Sequence, residues 1–236
     1  MASEPQPDCL FCPRLADFRR DNRADHPDWF NAPVPSFGSA DASLLIVGLA
    51  PGLRGANRTG RPFTGDYAGM LLYETLLDFG FATGTYDQRA DDDLLLRDCR
   101  ITNAVRCVPP ENKPTPAEAA ACRGFLAATI REMPRLRAIL ALGRIAFDAT
   151  LRALDLKASQ YKFAHGSALH LGGAHKLFGS YHCSRYNTNT GRLTAEMFRD
   201  IFKQIAVYLE STAEEQSQAN AGSHHRQGCA CHPSRS

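Results

Sequence analysis

Four short apolar runs stand out along the chain: LLIVGL from Leu44 to Leu49, RITNAV from Arg100 to Val105, AILALG from Ala138 to Gly143, and KLFGSYH from Lys176 to His182. Each has the length of a strand and reads as a buried one. Between them the period changes to that of a helix. GMLLYETLLDFGF sets Leu72, Thr75, Leu76 and Phe79 along one stripe, and RIAFDATLRAL follows the third strand. TPAEAAACRGFLAATIREM opens with Thr115 and Glu118 at capping-box spacing and Pro116 at the first helical position. After a Thr194 cap, Met197, Ile201, Ile205 and Leu209 recur at four-residue steps. Strands alternating with helices predict an α/β domain whose parallel sheet is covered on both faces. In such a sheet the site lies beyond the carboxyl ends of the strands. That edge would gather three distant segments: the loop after Gly48, Asn103 with its successors, and His182.

From Ser211 onward the pattern fades into small and polar residues, STAEEQSQANAGSHHRQGCACHPSRS. The expectation is one domain over residues 1–210 and a disordered polar tail over 211–236. The His and Cys residues of that tail are read as part of a low-complexity end and not as a metal site. With 236 residues and 44% hydrophobic content, the chain can bury one sizeable core. No apolar run is long enough to cross a bilayer, and MASEPQPDCLFCP lacks the basic-then-apolar order of a secretory signal. The cytoplasm is the expected location, with no membrane partner.

Charge adds little in total, since 27 Lys and Arg against 25 Asp and Glu leave +2. Its placement says more. GLAPGLRGANRTGRPFTGD carries Arg54, Arg58 and Arg61 before its first carboxylate, Asp66, which makes a local basic loop in a nearly neutral protein. Gly55 to Gly60 has the glycine spacing of a phosphate-binding P-loop, but Arg61-Pro62 stands where Lys and Ser or Thr are needed. Without the hydroxyl there is no magnesium ligand, and Pro62 removes a backbone donor. An NTPase is not expected on that ground.

The chain's eight cysteines exceed what a cytoplasmic protein keeps as disulfides. Cys9-Leu-Phe-Cys12 is a C-x-x-C, Cys107 follows the second strand and Cys122 lies in the capped helix. Four thiolates in two groups suit a structural zinc or an iron–sulfur cluster, and spacing does not choose between them. Cys99, beside a strand, reads as a buried thiol.

Taken together, GLAPG…GANRTGRPFTGD, TNAVRCVPPENKPTPAE…CRGFL, LALGRIAF and SYHCSRYNTNTGRLT resemble the family-5, or type b, uracil-DNA glycosylases, over about Cys9 to Tyr208. The resemblance implies a three-layer α/β/α sandwich around a four-stranded parallel sheet. It also implies a [4Fe–4S] cluster on Cys9, Cys12, Cys107 and Cys122, and removal of uracil, often with other deaminated bases, from DNA. On this reading the enzyme extrudes the nucleotide from the helix and acts as a monomer. Asn103, with Gly48, Leu49 and Phe63, would form the base pocket. Its amide would pair with O4 and N3–H of uracil while the Phe63 ring stacks on the base. His182 would donate to O2 of the departing base, and Asp66 would stabilise the sugar cation or orient water. Arg58 and Arg61, with loop amides, would grip phosphates. Ser184, Arg185, Tyr186 and Asn187 form the loop expected to enter the minor groove, with Arg185 and Tyr186 as wedges.

Two positions depart from related sequences. Leu49 replaces the glutamate that follows the first glycine of GEAPG in type-a enzymes, so the carboxylate function is expected to move to Asp66. The loss of that side chain is also expected to admit larger purines such as hypoxanthine. Cys183 stands where the family usually has proline after the histidine, which predicts a less rigid loop. Two rival readings follow from the same residues: an iron–sulfur redox or sensing protein, and a DNA-damage binding module with weakened catalysis.

Overall fold

The computed structural model describes residues 2–172 and 175–225. Its elements run, in order, α1 (Pro13–Asp25), β1 (Leu44–Gly48), α2 (Ala56–Thr59), α3 (Tyr67–Asp78), β2 (Ala82–Thr83), β3 (Leu95–Leu96) and β4 (Cys99–Asn103). The second half supplies α4 (Pro116–Arg131), β5 (Ala138–Leu142), α5 (Arg144–Ala153), β6 (Ala168–His170), β7 (Lys176–Ser180), α6 (Arg185–Asn189) and α7 (Ala195–His225).

All four strands read from the sequence pair in parallel, in the order β4-β1-β5-β7. The sheet has a fifth member that the sequence reading lacked. β6 lies antiparallel on the β7 edge, with Leu169 opposite Leu177. β2 and β3 form a separate antiparallel ribbon. Every residue of β1, β4 and β5 is buried, as expected for strands covered on both faces.

Successive side chains of a strand point to opposite faces, and this divides the core. Leu44 and Ile46 of β1 join Leu72 and Leu76 of α3 with Phe198 and Phe202 of α7 in one apolar layer. Leu45 and Val47 join Leu126 of α4 with Phe147 and Leu151 of α5 in the other. The α4 cap is a complete capping box: Glu118 N donates to Thr115 Oγ1 at 3.2 Å, and Thr115 N donates to Glu118 Oε2 at 2.7 Å. Thr194 Oγ1 accepts from Met197 N at 3.1 Å, as the sequence predicted.

The last helix continues to His225, past the Ser211 boundary expected for a tail. The side chains of His224 and His225, and all of Cys229, Cys231 and His232, lie outside the described residues. Among the described residues, no helix is long and apolar enough to cross a membrane.

Candidate active site and cysteine cluster

In this strand order the chain leaves β1 for one neighbour, β4, and later returns to the other, β5. Such a reversal opens a crevice at the carboxyl ends of the strands. There the protein has a cavity of about 560 Å³ lined by residues of all the segments the sequence singled out: Leu49 and Gly52 after β1, Phe63 and Asp66 before α3, Asn103 ending β4, and His182 after β7. The volume lies within the usual range for a small-molecule site.

Asn103 is 3% exposed, and its amide makes no hydrogen bond among the described residues. A buried amide lining a cavity without partners is a reader waiting for a ligand edge. Gly48 explains how it fits. A Cβ there would overlap Asn103 Oδ1 and approach Phe63 Cζ to 2.7 Å, so only glycine lets the amide and the ring share the floor.

Phe63 is buried at φ +56°, a backbone conformation L residues seldom adopt. Its ring stacks toward the His182 imidazole with centroids 5.9 Å apart and planes inclined by 29°. Burial holds the His182 imidazole down to a pKa of about 4, so the ring is neutral at pH 7 and has one N–H to donate.

Asp66 caps α3, its Oδ1 accepting from Gly69 N at 3.2 Å. Burial pushes its pKa above the usual carboxylate value, while bonds from the Gly69 and Ala68 amides pull the other way. The carboxylate is both a structural cap and a cavity wall.

After His182 the chain turns sharply. Cys183 is fully buried in the core, and Ser184 Oγ caps α6 by accepting from Asn187 N at 3.4 Å. Asn187 Nδ2 donates to His182 O at 2.8 Å, so Asn187 secures the root of the loop. Arg185 lines the cavity with its guanidinium 5.2 Å from the Tyr67 ring centroid, and Tyr186 is 72% exposed.

Two expectations for the glycine-rich loop need correction. Arg61 does not face outward. Its Nη1 and Nη2 donate to the two oxygens of Asp92 at 2.7 and 2.8 Å, its Nε donates to Thr64 Oγ1 at 2.8 Å, and both charged side chains are almost wholly buried. A guanidinium buried and locked to a bidentate partner does not present its remaining N–H groups to a phosphate in solvent. Part of the loop is also closed to phosphate, because the amides of Gly55, Asn57, Arg58, Thr59 and Gly60 donate to carbonyls of the same loop. Arg58 is exposed, as expected.

Arg54 and Asn112 also line the cavity and were missed by the sequence reading. Arg54 had only its place in a basic loop to recommend it. Asn112 sits in PPENKP, where a positive φ of 57° directs it, and no motif announces such a bend.

Cys9, Cys12, Cys107 and Cys122 line one small void in the apolar cluster formed with Leu15, Val105 and Phe125. None of the four is paired in a disulfide, and desolvation pushes Cys12 up to about 11 and Cys107 to about 12. Cationic and N–H donors face the sulfurs. Arg19 Nη1 lies 3.5 Å from Cys107 Sγ, and the Arg106 amide donates to Cys122 Sγ at 3.4 Å. Arg106, itself 1% exposed, binds Glu4 at 2.9 Å, Ser36 at 2.9 Å and Thr129 at 2.8 Å. It thereby ties the N-terminal strap to α4. Among the described residues, no three Cys, His, Asp or Glu side chains are grouped to hold a metal ion.

The family profile described as "Uracil DNA glycosylase superfamily" matches residues 35–206. A protein of Thermus thermophilus named type-5 uracil-DNA glycosylase is 45% identical over 202 residues, covering 83% of this chain and 91% of that one. One of Pyrobaculum aerophilum with the same name is 37% identical over 203 residues, 84% of this chain and 88% of that one. A type-4 uracil-DNA glycosylase of Thermotoga maritima is similar over a shorter span, 35% identical over 148 residues, 62% of this chain and 67% of that one.

Proposed function

The chain belongs to the uracil DNA glycosylase superfamily, in its type-5 branch, and from that premise we propose that it hydrolyses the N-glycosidic bond of uracil in DNA, leaving an abasic site. One observation carries the reading: an unpartnered buried amide and a neutral imidazole, 79 residues apart in sequence, open on the same cavity.

The chemistry follows from what each group can offer. The nucleotide must leave the stack to reach the cavity, at a cost of a few kcal/mol. Asn103 supplies one donor for O4 and one acceptor for N3–H. Cytosine would turn an amino group toward the amide's hydrogens and leave donors unpaired, a penalty of about 1–3 kcal/mol. As the bond to the sugar lengthens, negative charge gathers on O2, where the His182 N–H would receive it. A fixed donor in a water-poor site contributes about 3–4 kcal/mol to such a transition state. A neutral ring suits this task, since it donates without placing a full charge in a buried pocket. The Asp66 carboxyl would face the oxocarbenium-like sugar and orient the water that replaces the base.

Leu49 lines the cavity with an apolar side chain where type-a enzymes carry a charged one, and we extend the proposal to hypoxanthine beside uracil. Arg54 and Arg185, which line the cavity, and Arg58, on the same glycine-rich loop as Arg54, are exposed cations that would meet DNA phosphates. The four cysteines, in an apolar pocket faced by Arg19 and the Arg106 amide, fit a [4Fe–4S] cluster. The cluster would serve as an electron-dense cross-link between the N-terminal strap, the turn after β4, and α4. Nothing in the proposed hydrolysis passes through it.

Protein purified without oxygen should contain iron and acid-labile sulfide, and should convert uracil-containing duplexes to abasic sites, hypoxanthine-containing ones more slowly. A protein that binds such DNA and leaves every base in place would support the binding-module reading instead. Arg58→Ala should weaken binding of damaged and undamaged duplexes alike, by about tenfold, and reduce the salt dependence by roughly one charge. A change in base preference at an unaltered salt slope would place Arg58 in base recognition.

A further inference from the structure

We propose that Tyr86 and Asp92, both from the segment that leads through the β2–β3 ribbon, are positioning residues that hold Phe63 in its base-stacking pose. The inference rests on the glycosylase reading and adds to it a device that no motif contains.

Phe63 lines the cavity with a strained backbone, φ +56°, and a strained non-glycine residue persists only where its surroundings over-determine it. Here the constraints converge from three directions. Tyr86 Oη donates to Phe63 O at 3.0 Å and accepts from Gly65 N at 3.4 Å, so one hydroxyl bridges both ends of the turn. Tyr73 Oη donates to Pro62 O at 2.5 Å. Gly69 leaves the space into which the Phe63 carbonyl swings, since a Cβ there would overlap that oxygen.

Beneath the turn lies the Arg61 guanidinium, 5.5 Å from the Tyr73 ring centroid and 5.9 Å from that of Tyr86. Asp92 fixes this cation through both oxygens and is itself held by the amides of Asp87 at 3.0 Å and Leu94 at 3.3 Å. The Arg61–Asp92 pair therefore links the polar run around Asp92 to the residue two before Phe63. Arg61 also reaches Thr64 Oγ1, which flanks Phe63 on the other side. Freed of Tyr86 or Asp92, the turn would relax toward ordinary φ values and carry the ring off the floor it shares with Asn103.

Tyr86→Phe removes one oxygen and nothing else. Uracil release from duplex DNA under single-turnover conditions should slow about tenfold. Affinity for a duplex carrying a non-hydrolysable 2′-fluorinated deoxyuridine should stay within twofold. Phe63→Leu, which keeps an apolar wall without a π face, should slow release by itself. Because Tyr86 acts through Phe63, the Tyr86→Phe/Phe63→Leu double variant should be no slower than Phe63→Leu alone. Asp92→Asn should show the same rate loss and the same absence of further effect in the Phe63→Leu background, which keeps the inference testable if Tyr86→Phe does not fold. Costs that multiply in the double variants, or a Tyr86→Phe enzyme as fast as the parent, would overturn the positioning role. Absence of uracil release from the parent enzyme would overturn the glycosylase reading and this inference with it. Release by the parent with an unimpaired variant overturns this inference alone.

Discussion

Asn103→Asp should slow uracil release by about 100- to 1,000-fold and bring cytosine release into the measurable range. The amide ends β4 with 3% exposure and no partner of its own, so the change leaves the sheet intact and alters only what the cavity presents. As a carboxylate the new residue would offer two acceptors, one of them aimed at O4, itself an acceptor. A lost donor and a lone-pair clash together are worth about 3–4 kcal/mol, which corresponds to that range of rates. In so dry a position the carboxyl is driven toward its protonated form. The protonated fraction has one donor and one acceptor, which can meet N3 and the amino group of cytosine, a pairing the parent amide does not make. Single-turnover rates on matched duplexes differing only in the target base give the measurement. Uracil release within threefold of the parent would remove Asn103 from base recognition.

His182→Ala should lower the rate of bond cleavage by about 100- to 1,000-fold, the usual cost of losing one preorganised donor, with little change in DNA affinity. The same substitution should also flatten the acid limb of the stability curve. In the folded protein the imidazole titrates near 4, against about 6.5 in an unfolded chain. Between those values the unfolded state binds more protons, so stability declines as pH falls from about 6.5 toward 4. The group is partly exposed, and its share of that loss is on the order of 2 kcal/mol, or roughly 5 °C in melting temperature for a chain of this size. Thermal unfolding of parent and variant at pH 7.5 and 5 would show the parent losing more. Equal losses would mean that the imidazole is not held neutral by burial.

What the sequence made legible was whatever depends on runs of like residues. The β1, β4, β5 and β7 strands are short, apolar and buried on both faces, and each was readable to within two residues at either end. The capping box at Thr115 was equally plain, because both of its partners lie within four residues. β6 was not, since its three residues are exposed or half-buried and draw their pairing from β7 alone. Arg61 shows the limit more sharply. Composition marked it as a phosphate ligand, whereas its partner Asp92 sits 31 residues away in a polar stretch with no signature. Likewise Asn112 reaches the cavity through a backbone bend and not through a motif. Local pattern specifies elements; pairings across the fold, on which a site's charges depend, require the coordinates.

The four-thiol pocket also sets an order of events at the ribosome. Cys9 and Cys12 emerge first, yet Cys122 is made about 110 residues later, an interval of roughly 6–20 s at ordinary elongation rates. Throughout that time the leading pair waits as exposed nucleophiles. If these thiols hold the proposed cluster, a carrier delivering iron and sulfide could complete it only after more than half the polypeptide has been translated, once α4 can close the cage.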